Sequence, residues 1–301
     1  MRKHLKLTPL VLLLSLPLIG CAPAPGNPTQ VQAAVAPPKP PPSIPLPSTP
    51  PPAVAAKSSM VIDGVTGRIL AGKSVHERRA IASTQKLLTA LVVIEDGNLD
   101  KVVTIQASDG AVEPTKLYLS AGETHTRRDL LRVLLVKSAN DVARALARDV
   151  AGGKDQFAAL MNRRARSLGM HNSHFINPHG LTEEGQYSTA SDLALLSRAA
   201  YRNPFIRSCI RLPEITFTHD DGRVKKLTNT NKLLKRVNYL TGMKTGTTRA
   251  SGRCLVSSGE LNGRLVIAIV LGSTSKEVWN DSEQLIRWAL ETTPPAPALA
   301  Q

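Results

Sequence analysis

Apolar residues recur at three- and four-residue spacing through the middle of the chain, and they alternate or run together towards both of its ends. "SMVIDGVTGRILAG" (59–72) predicts two short strands about a Gly-rich turn. "IASTQKLLTALVVIE", Ile81 to Glu95, predicts a helix opened by Ser83 and ended by "DGNLD". "TRRDLLRVLLVKSANDVARALARDVAGG" carries two helices parted near Ser138 to Asn140 and stopped by Gly152 and Gly153. Two more follow in "GKDQFAALMNRRARSLGM" and in "TASDLALLSRAAYRN", the latter with a Thr189-Ala190-Ser191-Asp192 start. "EITFTH" and "LVIAIVLG" read as strands and "DSEQLIRWALE" as a last helix. Strands at both ends with helices between them predict one sheet assembled from distant segments.

Two stretches break this pattern. Residues 1–20, "MRKHLKLTPLVLLLSLPLIG", join a basic start to a short apolar run, which is an export signal and too short to span a bilayer. "LIGC" resembles a lipobox, so Cys21 is expected to carry lipid and become the new N-terminus. Residues 21–56 are dominated by Pro, Ala and Ser, a stiff extended tether reaching about 3 Å per residue. The folded domain is expected over 57–292, with 293–301 as a tail. The product is exported and lipid-anchored, facing the periplasm or cell wall.

Charge changes little in this picture. The formal net charge is +15, and +12 without Arg2, Lys3 and Lys6. In an exported protein the matching anions are wall polymers and lipid headgroups. With only four Phe and four Tyr in the chain there is no stacking platform for bases, and no nucleic acid is expected. Cys209 and Cys254 remain after Cys21; they either pair or stay as buried thiols.

Three motifs compete for the chemistry. "GRILAGKS" (67–74) fits a phosphate-binding loop, but Arg68 to Leu70 read as strand and no helical periodicity follows Ser74. His171, His174 and His179 lack the supporting Cys or carboxylate spacing of a zinc site. The third is an ordered set: S-x-x-K at Ser83 and Lys86, S-x-N at Ser138 and Asn140, and K-T-G from Lys244 to Gly246, separated by 55 and 106 residues. Each element alone is weak, since Ser138 and Asn140 would serve as caps and Lys244 to Gly246 as a turn. In this order they form the signature of penicillin-binding proteins and serine β-lactamases.

On these residues, and on "RRAIASTQKLLTALVVIE", "LGMHNSHFINPHGL", "NTNKLL" and "GMKTGTTRASGRCL", the chain resembles the D-alanyl-D-alanine carboxypeptidases of the low-molecular-mass penicillin-binding class, from about Lys57 to Trp288. The resemblance implies an α/β (α+β) fold of β-lactamase and transpeptidase type: an antiparallel sheet flanked by helices, plus an all-helical subdomain. It implies a serine enzyme with no cofactor and no metal, acting on peptidoglycan stem peptides that end in D-Ala-D-Ala and acylated by β-lactams. Ser83 would be the nucleophile and Lys86 its base, if a second cation and burial lower the lysine pKa. Ser138 would relay a proton to the leaving amine while Asn140 orients Lys86 and substrate. Lys244 and Thr245 would bind the terminal carboxylate beside Gly246, and the N–H groups of Ser83 and Thr247 would form the oxyanion hole.

The chain departs from its relatives after the last strand. They often carry an arginine for the substrate carboxylate there, whereas this chain reads "STSKEVWNDSEQL", with Val278 and Trp279 in those places. Arg249 is the expected substitute. There is also no stretch for a C-terminal β-rich domain after Trp288, and the tether is expected to act as spacer instead. A β-lactamase is the near alternative, disfavoured because no E-x-x-L-N stretch follows Ser138. A non-catalytic wall-binding lipoprotein is the other, and the intact serines and lysines argue against it.

Overall fold

The computed structural model describes residues 45–293, so the signal, the lipobox at Cys21, most of the proline-rich stretch and the tail beyond 293 lie outside the described residues. β1 (Ser58–Asp63) turns into β2 (Ile69–Lys73), as the hairpin pattern predicts, and β2 occupies the place of the competing phosphate-loop motif. After it come α1 (Lys86–Glu95) and a two-stranded ribbon, β3 (Val102–Thr104) with β4 (Thr124–Thr126). The helices α2 (Arg127–Val136), α3 (Asn140–Ala151), α4 (Lys154–Ser167), α5 (Ala190–Arg202) and α6 (Pro204–Ile210) follow. A second ribbon, β5 (Glu214–Thr218) with β6 (Val224–Thr228), precedes β7 (Leu240–Thr248), β8 (Gly252–Leu261), β9 (Arg264–Ser273) and α7 (Glu277–Glu291).

The main sheet runs in the order β2-β1-β9-β8-β7, with every neighbour antiparallel. Its first and last strands in the sequence, β1 and β9, thus pair directly, the assembly from distant segments that the pattern predicts. β9 explains the unbroken apolar run in "LVIAIVLG". Ile267, Ile269 and Leu271 face a core shared with α1 to α5, whereas Val266, Ala268 and Val270 face α7. Both faces are covered, so period-2 alternation in polarity disappears.

α1 is buried on all sides from Lys86 to Val93, which is why its sequence is apolar all round. It packs against α2, α3, α4 and α5, and it starts one turn later than its pattern suggests. Ser83 lies in a 3-10 turn over Ala82–Gln85 and is not the cap of α1. The tighter turn eclipses positions three apart, so Ser83 and Lys86 stack on one side. The short β3 and the seven-residue α6 carry too few residues for a period to emerge, and neither is visible in the sequence pattern.

The end of the proline-rich stretch is not free chain. Asp281 on α7 accepts the backbone N–H groups of Ala55 and Ala56, both at 2.9 Å, and the Ser273 hydroxyl at 2.8 Å. Trp288 donates its indole N–H to Thr49 O at 2.9 Å, and Ser48 N–H reaches Thr292 O at 2.8 Å. Composition predicts extension, and extension is kept; what it hides is that α7 supplies partners for an extended backbone. Replacing buried Asp281 with alanine strands two amide donors, and we expect Asp281→Ala to lower unfolding stability by about 2–4 kcal/mol in urea titration. A loss under about 1 kcal/mol would mean that these bonds contribute nothing net.

Candidate active site

The free edge of β7 faces the 3-10 turn that carries Ser83, and two glycines let the backbones meet. A Cβ on Gly246 would stand 2.9 Å from both Ile81 O and Ser83 N, and one on Gly180 would stand 2.2 Å from Ala82 O. Gly180 also has φ +90°, a conformation that side chains resist. The turn is therefore clamped between β7 and the loop around His179, with no room for a side chain at either glycine.

Lys86 is fully buried at the centre. Its Nζ is 2.8 Å from Ser83 Oγ, 2.7 Å from Asn140 Oδ1 and 2.7 Å from His179 O. Burial holds its pKa well below the ordinary lysine value; the nearby Lys244 lowers it further, and Asp141 opposes. A neutral amine has two N–H donors and one lone pair. The carbonyl oxygens of Asn140 and His179 accept the two donors, which leaves the lone pair for the Ser83 hydroxyl. The Asn140 orientation is set from the far side, where Nδ2 donates to Glu113 O at 3.0 Å.

Ser138 and Asn140 come from the break between α2 and α3. Ser138 has φ +68°, and its 7% exposure is on the cavity that also contains Ser83. Asp141 accepts from Leu117 N at 3.0 Å and Tyr118 N at 2.8 Å, and Asn140 N donates to Thr115 O at 2.7 Å. These bonds hold the loop 113–118 across the mouth of the site. On the opposite wall Thr245 Oγ1 donates to Thr230 Oγ1 at 2.6 Å, and buried Lys244 has its pKa pushed down to about 7 by burial.

The cavity measures about 480 Å³, a size suited to a small peptide end. Ser83, Lys86, Ser138, Asn140, Lys244, Thr245, Gly246 and Thr247 are brought together in and around it. Arg249 is not. It is exposed in the turn between β7 and β8 and is absent from the cavity lining. The arginine that lines the cavity is Arg253, whose Nη1 donates to Thr247 Oγ1 at 3.0 Å and whose Nε donates to Ser275 Oγ at 3.0 Å. It pairs across the strands with Thr247 on one side and Ser273 on the other. The signal was available in "KTGTTRASGRCL": a three-residue connection between the strands puts Arg253, not Arg249, opposite Thr247.

Other nucleophiles are poorly placed. Cys209 and Cys254 are free buried thiols, and burial raises Cys254, which lines the cavity, to about 11. His179 is lowered to about 3, chiefly by burial, so its neutral ring accepts Leu181 N–H at 3.2 Å. Among the described residues no three His, Cys, Asp or Glu are grouped to hold a metal ion.

Against known families, residues 46–275 match the model of the D-alanyl-D-alanine carboxypeptidases. The chain belongs to this family. It is 33% identical over 228 residues to the D-alanyl-D-alanine carboxypeptidase DacF of Bacillus subtilis, covering 74% of this chain and 59% of that one. With DacB2 of Mycobacterium tuberculosis the identity is 34% over 260 residues, covering 84% of this chain and 87% of that protein. Among solved structures the DD-transpeptidase of Streptomyces K15 superposes with a TM-score of 0.77 at 31% identity, covering 81% of this chain and all of the other. The fold is thus the expected one, and the three motifs meet in one place in it.

Proposed function

We propose that the chain is a serine-type D-Ala-D-Ala carboxypeptidase, which removes the terminal D-alanine of peptidoglycan pentapeptides through an acyl-enzyme on Ser83. One observation carries this reading: the buried Lys86 amine has both donors occupied by carbonyl oxygens and stands 2.8 Å from the Ser83 hydroxyl. Neutral Lys86 takes the hydroxyl proton as Ser83 Oγ attacks the carbonyl of the penultimate residue. The N–H groups of Ser83 and Thr247 receive the developing oxyanion, and Ser138 passes a proton to the leaving D-alanine amine. Water then hydrolyses the ester. No carboxylate lines the cavity among the described residues, so nothing resembling the activating glutamate of a β-lactamase stands ready to speed that step. A penicillin adduct is therefore expected to persist.

Recognition of the terminal carboxylate needs a charge that survives at neutral pH. Lys244, lowered to about 7, is half discharged there. Arg253 keeps its charge, and it donates to the neutral hydroxyls of Thr247 and Ser275. We assign the carboxylate to Arg253 with Thr245 and Thr247, in place of Arg249. The lipid on Cys21 and the proline-rich spacer belong to the same proposal and rest on sequence alone.

Intact-mass analysis after benzylpenicillin should show a lasting one-to-one adduct that Ser83→Ala abolishes, and the same spectrum of membrane-derived full chain should show diacylglycerol on Cys21. An unlabelled wild type would end the reading. The labelling rate should rise with pH as Lys86 loses its proton and level off well below the ordinary lysine pKa of 10.5. Lys244→Gln removes a cation that depresses Lys86, so the rise should move to higher pH; a rise that stays in place would contradict the coupling. In peptide hydrolysis Arg253→Ala should raise KM about tenfold, the loss of one charged hydrogen-bonded contact, while Arg249→Ala leaves it unchanged. The reverse result would restore Arg249.

A further inference from the structure

A second cavity, of about 560 Å³, opens at the other end of the sheet. It is lined by the Glu260–Leu265 hairpin corner, where Leu261 pairs with Arg264, whereas Ser83 faces the Cys254 end of β8. Six residues from Cys254 to Glu260 correspond to about 20 Å of strand. The mechanism above uses none of its residues.

Its walls bring together three guanidinium groups, Arg202 at the end of α5, Arg207 on α6 and Arg264 on β9, against a single carboxylate, Glu260. That carboxylate is already engaged: Oε1 accepts the Tyr201 hydroxyl at 2.7 Å, and Oε2 lies 3.2 Å from Arg211. The neighbouring acid, Asp63, spends Oδ1 on Val65 N, Thr66 N and the Thr66 hydroxyl, and its charge acts on Arg198 and Arg264 rather than on Arg202 or Arg207. Neither Arg202 nor Arg207 forms an ion pair with an acid among the described residues. Arg202 makes a 3.4 Å contact to Val65 O, and Arg207 makes one of the same length to Tyr201 O while lying 6.0 Å from the Tyr201 ring centre. Arg198, on the adjoining turn of α5, donates to the same Val65 O at 2.6 Å, and its pKa is lowered by burial and by Arg202. Like charges converging on a concave wall repel, and a bound oxyanion is what relieves them.

We propose that this cavity is a second binding site, which takes carboxylate groups of the wall peptides so that one polymer is held at two points. The proposal rests on the carboxypeptidase reading, because that reading supplies a repeating polymer with many carboxylates. Holding one repeat at the arginines makes capture of a second at Ser83 intramolecular and raises its effective concentration.

The test is co-sedimentation of the full mature chain, carrying Ser83→Ala to prevent turnover, with purified peptidoglycan sacculi. The double change Arg202→Gln and Arg207→Gln should weaken binding about tenfold at low salt, with the difference shrinking as salt rises. Arg202→Lys with Arg207→Lys should largely restore it. Benzylpenicillin labelling of the same arginine changes, made in the chain that keeps Ser83, separates the two readings. Normal labelling with undiminished sacculus binding overturns the second site, whereas loss of labelling in the unaltered protein overturns the enzyme reading. Inorganic phosphate that shifts the amide signals of Gly64 and Gly263 while the variants still bind sacculi normally would assign the cavity to a free small oxyanion, which also overturns the proposal.

Discussion

Everything near the site follows from placing one amine, Lys86 Nζ, in the middle of the protein without a carboxylate against it. Burying a charged ammonium costs several kcal/mol unless it is paired, so the neutral form is favoured and the surroundings have only to satisfy two donors. Carbonyl oxygens do this and nothing more. Asn140 Oδ1 and His179 O fix the amine in rotation as well as in place, because neither can donate back to it. A carboxylate in either position would have held the proton on the lysine and removed its use as a base. The one acid that acts on it, Asp141, has its oxygens committed to the backbone of Leu117, Tyr118 and Val142.

The same constraint divides the work between two lysines and an arginine. Lys244 is buried beside the site and helps discharge Lys86, and by being buried it loses its own claim to a permanent charge. A substrate carboxylate is then better met by a guanidinium that remains ionised in any protein setting. Arg253 is exposed, so its charge is screened, but its hold on Thr247 and Ser275 pre-orients it at little entropic cost. The relatives' usual arginine follows the last strand; in the proposed assignment the partner strand supplies it, where Ser273 and Arg253 face each other in register.

How far these features were legible depends on the range of the interaction behind them. The S-x-x-K pair is local, and its two side chains meet at 2.8 Å even though a 3-10 turn, not the first turn of an α-helix, carries Ser83. The long-range motifs were legible as an ordered set, since each is a short run of fixed residue types and their order along the chain adds specificity that none has alone. Arg249 and Arg253 lie four residues apart, and telling which of them reaches the cavity requires strand register, which polarity does not encode on a strand with both faces covered. His179 was passed over for a related reason. It contributes a main-chain carbonyl, and a carbonyl leaves no trace in the identity of its side chain. The docking of residues 48–56 was equally hidden, since it depends on Asp281 and Trp288 more than two hundred residues away.

The backbone beside the site carries the remaining cost. Ala82 and Ser138, neither of them glycine, have φ +48° and +68°, in the left-handed region that side chains avoid by about 1 kcal/mol or more each. Both flank the reacting hydroxyls, one immediately before Ser83 and the other at Ser138 itself. A regular helix through either position would aim the side chain along the helix face rather than into the cleft between helix and sheet. The buried packing of α1, α2 and α3 offsets the strain, and it can do so because their apolar faces are almost completely enclosed. The apolar interior thus holds two backbone positions, Ala82 and Ser138, in conformations that neither would adopt alone, and this is what lets the Ser83 and Ser138 hydroxyls converge on one cavity.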